Sequence, residues 1–226
     1  MENASKALII AGSVLMAVLI IGALMLMYNQ IAGIEQIKTD NDELSKMEDY
    51  SKKFEEYNGT IYGSELFSLA NLQDDYTRRY KKEDGYIEVK IIVIINNSIS
   101  GTNYFQLGEN DINKILTDKN KIEKEITDFE NKNKFKGKTV KYYSQLTIRE
   151  IADIYGVGFS SEDLESDVEE KIRQKGGEAK KVLEAIDEYK NIKSVYTEFK
   201  NKRFKCTNVT YDQYNGRIES MSFKEK

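Results

Sequence analysis

The chain has 226 residues, with 34 Lys and Arg against 38 Asp and Glu and a formal net charge of −4. That balance gives no basic surface for nucleic acid. There is no histidine, which removes the commonest general base and metal ligand, and Cys206 is the only cysteine, which excludes an internal disulfide.

The chain opens MENASKALIIAGSVLMAVLIIGALMLMYNQIAG, and no charged residue occurs from Ala7 to Ile34. As a helix, Ala7 to Tyr28 would be about 33 Å long at roughly 1.5 Å per residue, against a bilayer core of roughly 30 Å. The stretch is longer than the apolar part of a cleavable signal peptide, and Tyr28-Asn29-Gln30 is a poor end for one. A retained transmembrane helix is therefore expected over 7–28, behind a short tail at 1–6. A cleaved signal and a buried helix are the alternatives. Ala7 and Ala11, and Ser13 and Ala17, are spaced by four and mark a small-residue face on which membrane helices could approach closely. The six-residue tail carries Lys6, and the acidic run after the helix gives no signal for retention. The expected topology puts the N-terminus inside and the large domain outside, at the cell membrane.

Helical periodicity continues beyond the apolar stretch. Ile37, Leu44, Met47, Phe54 and Tyr57 fall near one stripe, with Glu, Asp and Lys between them. An amphipathic extension or stalk is expected over 29–57, ending at Asn58-Gly59. Leu44, Met47, Phe54 and Tyr57 are its expected packing residues, turned either to the protein's own domain or to a second copy. The heptad is poor, with Asp40 and Ser51 in apolar positions.

An α+β domain is expected over 58–226. Ser64 caps a helix with Leu66, Phe67, Leu69, Ala70 and Leu72 on its apolar side. After Gly85, YIEVKIIVIIN reads as the central strand. Residues 109–135 read as a helix, Lys138–Tyr143 as a short strand, and Ile148–Tyr155 and Leu164–Tyr189 as helices, the last broken at Gly176-Gly177. Tyr196–Tyr211 alternates as a strand around Phe204, Cys206 and Val209. Asn215-Gly216 then turns the chain into a second alternating strand, Arg217–Phe223. With Tyr86–Ile95 these make a small antiparallel sheet of three or more strands, whose face the long helix can cover.

Motifs that could carry chemistry are weak. Gly137-Lys138-Thr139 resembles the end of a phosphate loop, but Lys132 stands where its first glycine is needed, so a surface turn is expected. Gly156-Val157-Gly158 reads as a helix end. LTIREIADIYGVGFS resembles the first helix and turn of helix-turn-helix proteins, yet the segment that follows, SSEDLESDVEE, is acidic and would be repelled by DNA. The acidic clusters lack calcium-loop spacing. No catalytic, cofactor-binding or metal-binding residue is expected.

The order of parts resembles type IV pilins and pseudopilins: a bare N-terminus, one long helix whose first half is membranous, and a C-terminal antiparallel sheet on its second half. The opening MENASKALIIAG is similar to that of small single-span proteins of Gram-positive bacteria. The resemblance implies a single-pass envelope protein without catalytic residues. Glu2 would correspond to the family's helix glutamate, and no glycine stands before Gly12 to mark a processing site. The expected function is a membrane-anchored, non-catalytic protein-interaction domain, pilin-like or an accessory of an envelope machine. Its partners would be the lipid bilayer and a protein or a second copy, with no nucleic acid. The alternative is a membrane-tethered ligand-binding or sensor domain.

Overall fold

The computed structural model describes residues 44–97, 99 and 103–226, together with positions 18, 21–25, 27 and 42. It begins its continuous part with a helix, α1, over 44–55. Met47, Tyr50 and Phe54 lie at helical spacing and are buried against the domain, with Phe54 wholly inaccessible. Tyr57 is half-buried against the same cluster, whereas Leu44 is exposed. The stripe beyond residue 44 therefore packs within the one chain.

The chain then turns into β1 (Thr60–Tyr62) and α2 (Gly63–Tyr80). The Tyr62 amide donates to the Glu65 carboxylate at 2.7 Å and closes the first turn of α2. Gly63 is required here: a Cβ would lie 2.0 Å from the carbonyl oxygen of Phe199. β2 (Lys90–Ile95) and β3 (Gly108–Asp111) follow, then α3 (Ile112–Lys132), started by Asp111, whose side chain accepts from the Asn113 amide. A two-strand ribbon, β4 (Lys134–Phe135) and β5 (Lys138–Thr139), leads into α4 (Val140–Tyr143) and α5 (Ile148–Ile154). α6 (Glu165–Lys175) and α7 (Gly177–Asn201) precede the terminal pair, β6 (Arg203–Tyr211) and β7 (Ile218–Glu225).

The main sheet has five strands in the order β1-β6-β7-β2-β3. Ile91, Val93 and Ile95 of β2, Phe204 of β6 and Met221 and Phe223 of β7 face one core, closed by α1, α2, α3 and the C-terminal half of α7. On the other face Lys205, Lys224, Ser220 and Ser222 are exposed or half-exposed. A second apolar cluster joins Val140, Tyr143, Ile151, Val168, Ile172, Val182 and Ile186 of α4–α7, and Ile126 of α3 touches both clusters.

Two expectations are corrected. The sheet is mixed and five-stranded, not small and antiparallel, because β2 runs parallel to β7. Parallel neighbours need a long crossover, and α3–α7 supply it. Nor is the fold one of a long membrane helix extending into the domain: among the described residues no helix is long and apolar enough to cross a membrane. The transmembrane, single-pass assignment is overturned with it. The helix that is described in full, α1, alternates Met47, Tyr50 and Phe54 with charged residues, as a helix on a core does. Most of 7–28 lies outside the described residues, including Ala7, Ala11, Ser13 and Ala17.

Local boundaries also moved. α7 runs to Asn201, through a segment expected as strand, because Phe199 stacks on Phe105 with ring centroids 3.9 Å apart and belongs to the core. Lys138–Tyr143 is strand only for its first two residues.

Candidate interaction edge

The β6–β7 hairpin is built by its turn. The Asp212 amide donates to the Arg217 carbonyl at 2.8 Å, and the Asp212 carboxylate accepts from the amides of Tyr214 and Asn215, each at 3.0 Å. Gly216 takes φ +68°, the left-handed conformation that the Asn-Gly pair anticipates. Arg217, buried, donates to the Gly85 carbonyl at 2.6 Å and ties the hairpin base to the loop before β2. The Ile218 amide donates to the Ser51 hydroxyl of α1 at 2.9 Å.

At its far end β7 is held by a buried ion pair. Lys202 Nζ lies 2.7 Å from Glu225, with side chains 12% and 4% exposed. The amides of Asn96 and Asn97 also donate to this carboxylate, at 2.8 and 2.9 Å. Burial pushes the Glu225 carboxyl up, but Lys202 and the two amides outweigh it and hold the group below its ordinary value. On the helical side, the Tyr50 hydroxyl donates to Asp75, which also accepts from Arg78 and Arg79. Burial and this carboxylate push Tyr50 up to about 12. These groups brace α1, β2 and β7.

With both ends pinned, one edge of the sheet stays open among the described residues. β1 has three residues and pairs only with Arg203–Lys205, followed by a single bond from the Cys206 amide to the Gly59 carbonyl at 2.7 Å. It cannot be longer, because Asn58-Gly59 turns the chain before it and Gly63 starts α2 after it. From Thr207 to Tyr211, β6 has a strand neighbour on the β7 side alone among the described residues. The bond from the Asp212 amide to Arg217 sets the alternation: Asp212 and Thr210 point their backbone groups at β7, and Tyr211 and Val209 point theirs away. The segment TNVTY has no charge and no proline. Tyr62, Tyr211 and Tyr214 are 52%, 43% and 97% exposed along the same edge and its turn.

The opposite edge is different. β3 is four residues long, starts at Gly108 with φ +90° and carries Glu109 and Asp111. Short length and charge are how sheets keep an edge from pairing. β6 beyond Cys206 lacks the charge, although its register with β7 shifts twice, at a one-residue bulge at Thr207 and again between Thr210 and Tyr211.

Other sequence features fall elsewhere. Gly137 and Lys136 form the β4–β5 turn, and Lys136 donates to the Ile154 carbonyl at 2.6 Å, so this is a turn and not a phosphate loop. Thr147 and Glu150 cap α5 reciprocally, but ten residues separate α5 from α6, too many for the tight helix-turn-helix corner. Cys206 is half-exposed, and burial pushes its thiol up, away from thiolate reactivity. A trough of about 470 Å³ runs along α3, lined by Tyr104, Lys121, Lys124, Glu125, Asp128, Phe129 and Lys132. Five of those seven side chains carry charges at their ends, and the trough is open along one side. Among the described residues no cluster of three carboxylate or thiol side chains is placed to hold a metal ion.

Met47 and Phe54 pack into the core and Tyr57 against it. From the sequence, Val209 marks only the alternation of a strand that ends at Tyr211, and none of Val209, Thr210 and Tyr211 is expected as a site residue. Their alternation marks a strand, but nothing in it says that the strand lacks a neighbour. Comparison with protein-family models, with curated proteins and with solved structures finds no match to this chain.

Proposed function

We propose that the domain is a non-catalytic protein-binding module that takes its partner along the open edge of β6. The observation that carries this is the outward pair of backbone groups on Val209 and Tyr211, in an uncharged β-prone segment flanked by exposed tyrosines. An added strand would satisfy these donors and acceptors, and the tyrosines would supply contact area.

Val209→Pro tests it in the full chain. The substitution deletes an amide that points away from β7, so the sheet's own ladder keeps every bond. The expected outcome is a thermal unfolding curve close to wild type together with loss of cross-links from a photoreactive residue placed at Tyr211. Cross-linking that persists unchanged in a folded V209P chain would overturn the proposal. For location, we propose association with the cell membrane, supported by the uncharged stretch from Ala7 to Ile34. Recovery of the whole full-length pool in the soluble fraction of lysed cells would overturn that.

A further inference from the structure

We propose that the partner on this edge is a second copy of the chain, paired strand to strand with β6 antiparallel to itself about a two-fold axis at Thr210. The inference rests on the edge reading above and adds to it the partner and the register.

The register follows from which backbone groups face outward. In an antiparallel pair, hydrogen-bonded positions must both point across the new interface. On β6 those are Val209 and Tyr211, with Thr210 between them facing β7. A two-fold axis at Thr210 sets Val209 opposite Tyr211 of the second copy and Tyr211 opposite its Val209. Every outward donor and acceptor is then matched. An axis at Val209 would instead oppose Tyr211 to Thr207, which sits on the bulge and is out of phase. The second shift, between Thr210 and Tyr211, skips Glu219 of β7 and inserts no residue into β6, so the alternation of Val209, Thr210 and Tyr211 is unbroken; sequence parity and the bulge at Thr207 therefore select one register.

Side chains agree with it. Val opposite Tyr is a favourable aromatic–β-branched cross-strand pair, and Thr210 opposite Thr210 is a favourable pair of hydroxyl residues. Self-pairing about a two-fold axis sets identical surfaces against each other, so any charge within the strand would risk meeting its like. Thr207–Tyr211 has none, and Asp212 falls opposite the neutral Asn208. The β3 edge, with Glu109 and Asp111, could not pair with itself without opposing carboxylates. The result would be a continuous sheet running through both copies. The contact is small beside a standard interface of roughly 1,600 Å², so the association is transient and best captured covalently.

Thr210→Cys in a Cys206→Ser background provides the test, using the full chain in the cells that make it and a mild oxidant. At a non-hydrogen-bonded antiparallel pair the two Cα atoms are about 4.5 Å apart, within disulfide range. The T210C chain should give a covalent dimer. Asn208→Cys in the same background should not, because the two copies of residue 208 would be four positions out of register, about 13 Å along the strand. A photoreactive residue at Tyr211, in a mixture of light and heavy isotope-labelled chains, gives a second readout. Its adduct should join light to heavy chain at or beside Val209. That arm holds even if a cysteine variant fails to fold. No T210C dimer, with Tyr211 adducts to a different protein, would overturn the second copy and leave the edge reading standing. Equal dimer from T210C and N208C would overturn the register. The absence of any adduct from folded chain would overturn both proposals.

Discussion

The contact between Lys202 and Glu225 shows how much of this fold hangs on single buried polar groups. The pair is enclosed where the end of α7, the end of β7 and the turn after β2 meet. Removing one member of a buried pair strands the other charge, at a cost of roughly 3–5 kcal/mol. Lys202→Met is therefore expected to lower the unfolding free energy by that amount in urea titrations at pH 7. The pH dependence follows from the direction of the shift. The folded carboxyl titrates below its unfolded value of about 4.3, so its stabilisation is fully present above about pH 5 and is lost as pH falls through the lowered value. The stability gap between wild type and Glu225→Gln should shrink between pH 5 and pH 3. A gap that stays constant over that range would show that the carboxylate's charge contributes nothing. Gly63 is the other residue with no freedom: Gly63→Ala drives a methyl onto the Phe199 carbonyl and should cost about 3 kcal/mol, at the upper end for overpacking. Thermal unfolding measures it. Gly63 was ordinary in the sequence because Phe199, which constrains it, lies more than a hundred residues away; Glu225 likewise meets the distant amides of Asn96 and Asn97 as well as Lys202, 23 residues before it.

At the scale of elements, α1 is the informative case. Its periodicity was legible, and so were Met47 and Phe54 as candidates for burial. What they bury against was not, since an apolar stripe is equally served by a partner helix or by the chain's own sheet. Here Phe54 meets Tyr76 edge-on and is closed off inside one chain. Phe54→Ala should cost about 3–5 kcal/mol, the usual range for emptying such a site. Denaturant unfolding of the full chain reads it, and a cost below 1 kcal/mol would mean that α1 is not docked. α7 makes the converse point. Val195, Tyr196 and Phe199 suit a strand by propensity, and the segment was read as one. Tertiary packing overrode propensity, because Phe67 stacks on both Tyr196 and Phe199.

Among the described residues, the sheet core and the α4–α6 cluster are joined by the long helices α3 and α7 and by bridging side chains such as Ile126. The α4–α6 cluster contains no strand of the main sheet. Regions with fewer cooperative contacts open at lower free energy. Native-state hydrogen exchange should show amides of 140–175 exchanging through a local opening while β2, β6 and β7 exchange only on global unfolding. Val168→Ala should lower the first free energy by about 1–2 kcal/mol and leave the second nearly unchanged. Identical exchange free energies in both parts would show one cooperative unit.

The sequence by itself determined the α+β class of the domain, the helices of 112–132 and 148–154, the Asn215-Gly216 turn and the strand character of β2, β6 and β7. Those features are written in residues a few positions apart, where alternation, capping and turn chemistry act locally. Only the tertiary structure decided that β2 runs parallel to β7, that a long helical crossover joins them, and that β1 ends early enough to leave Val209 and Tyr211 facing outward. Strand order and edges depend on which distant segments meet, and a backbone amide carries no mark in the sequence of whether it will find a partner.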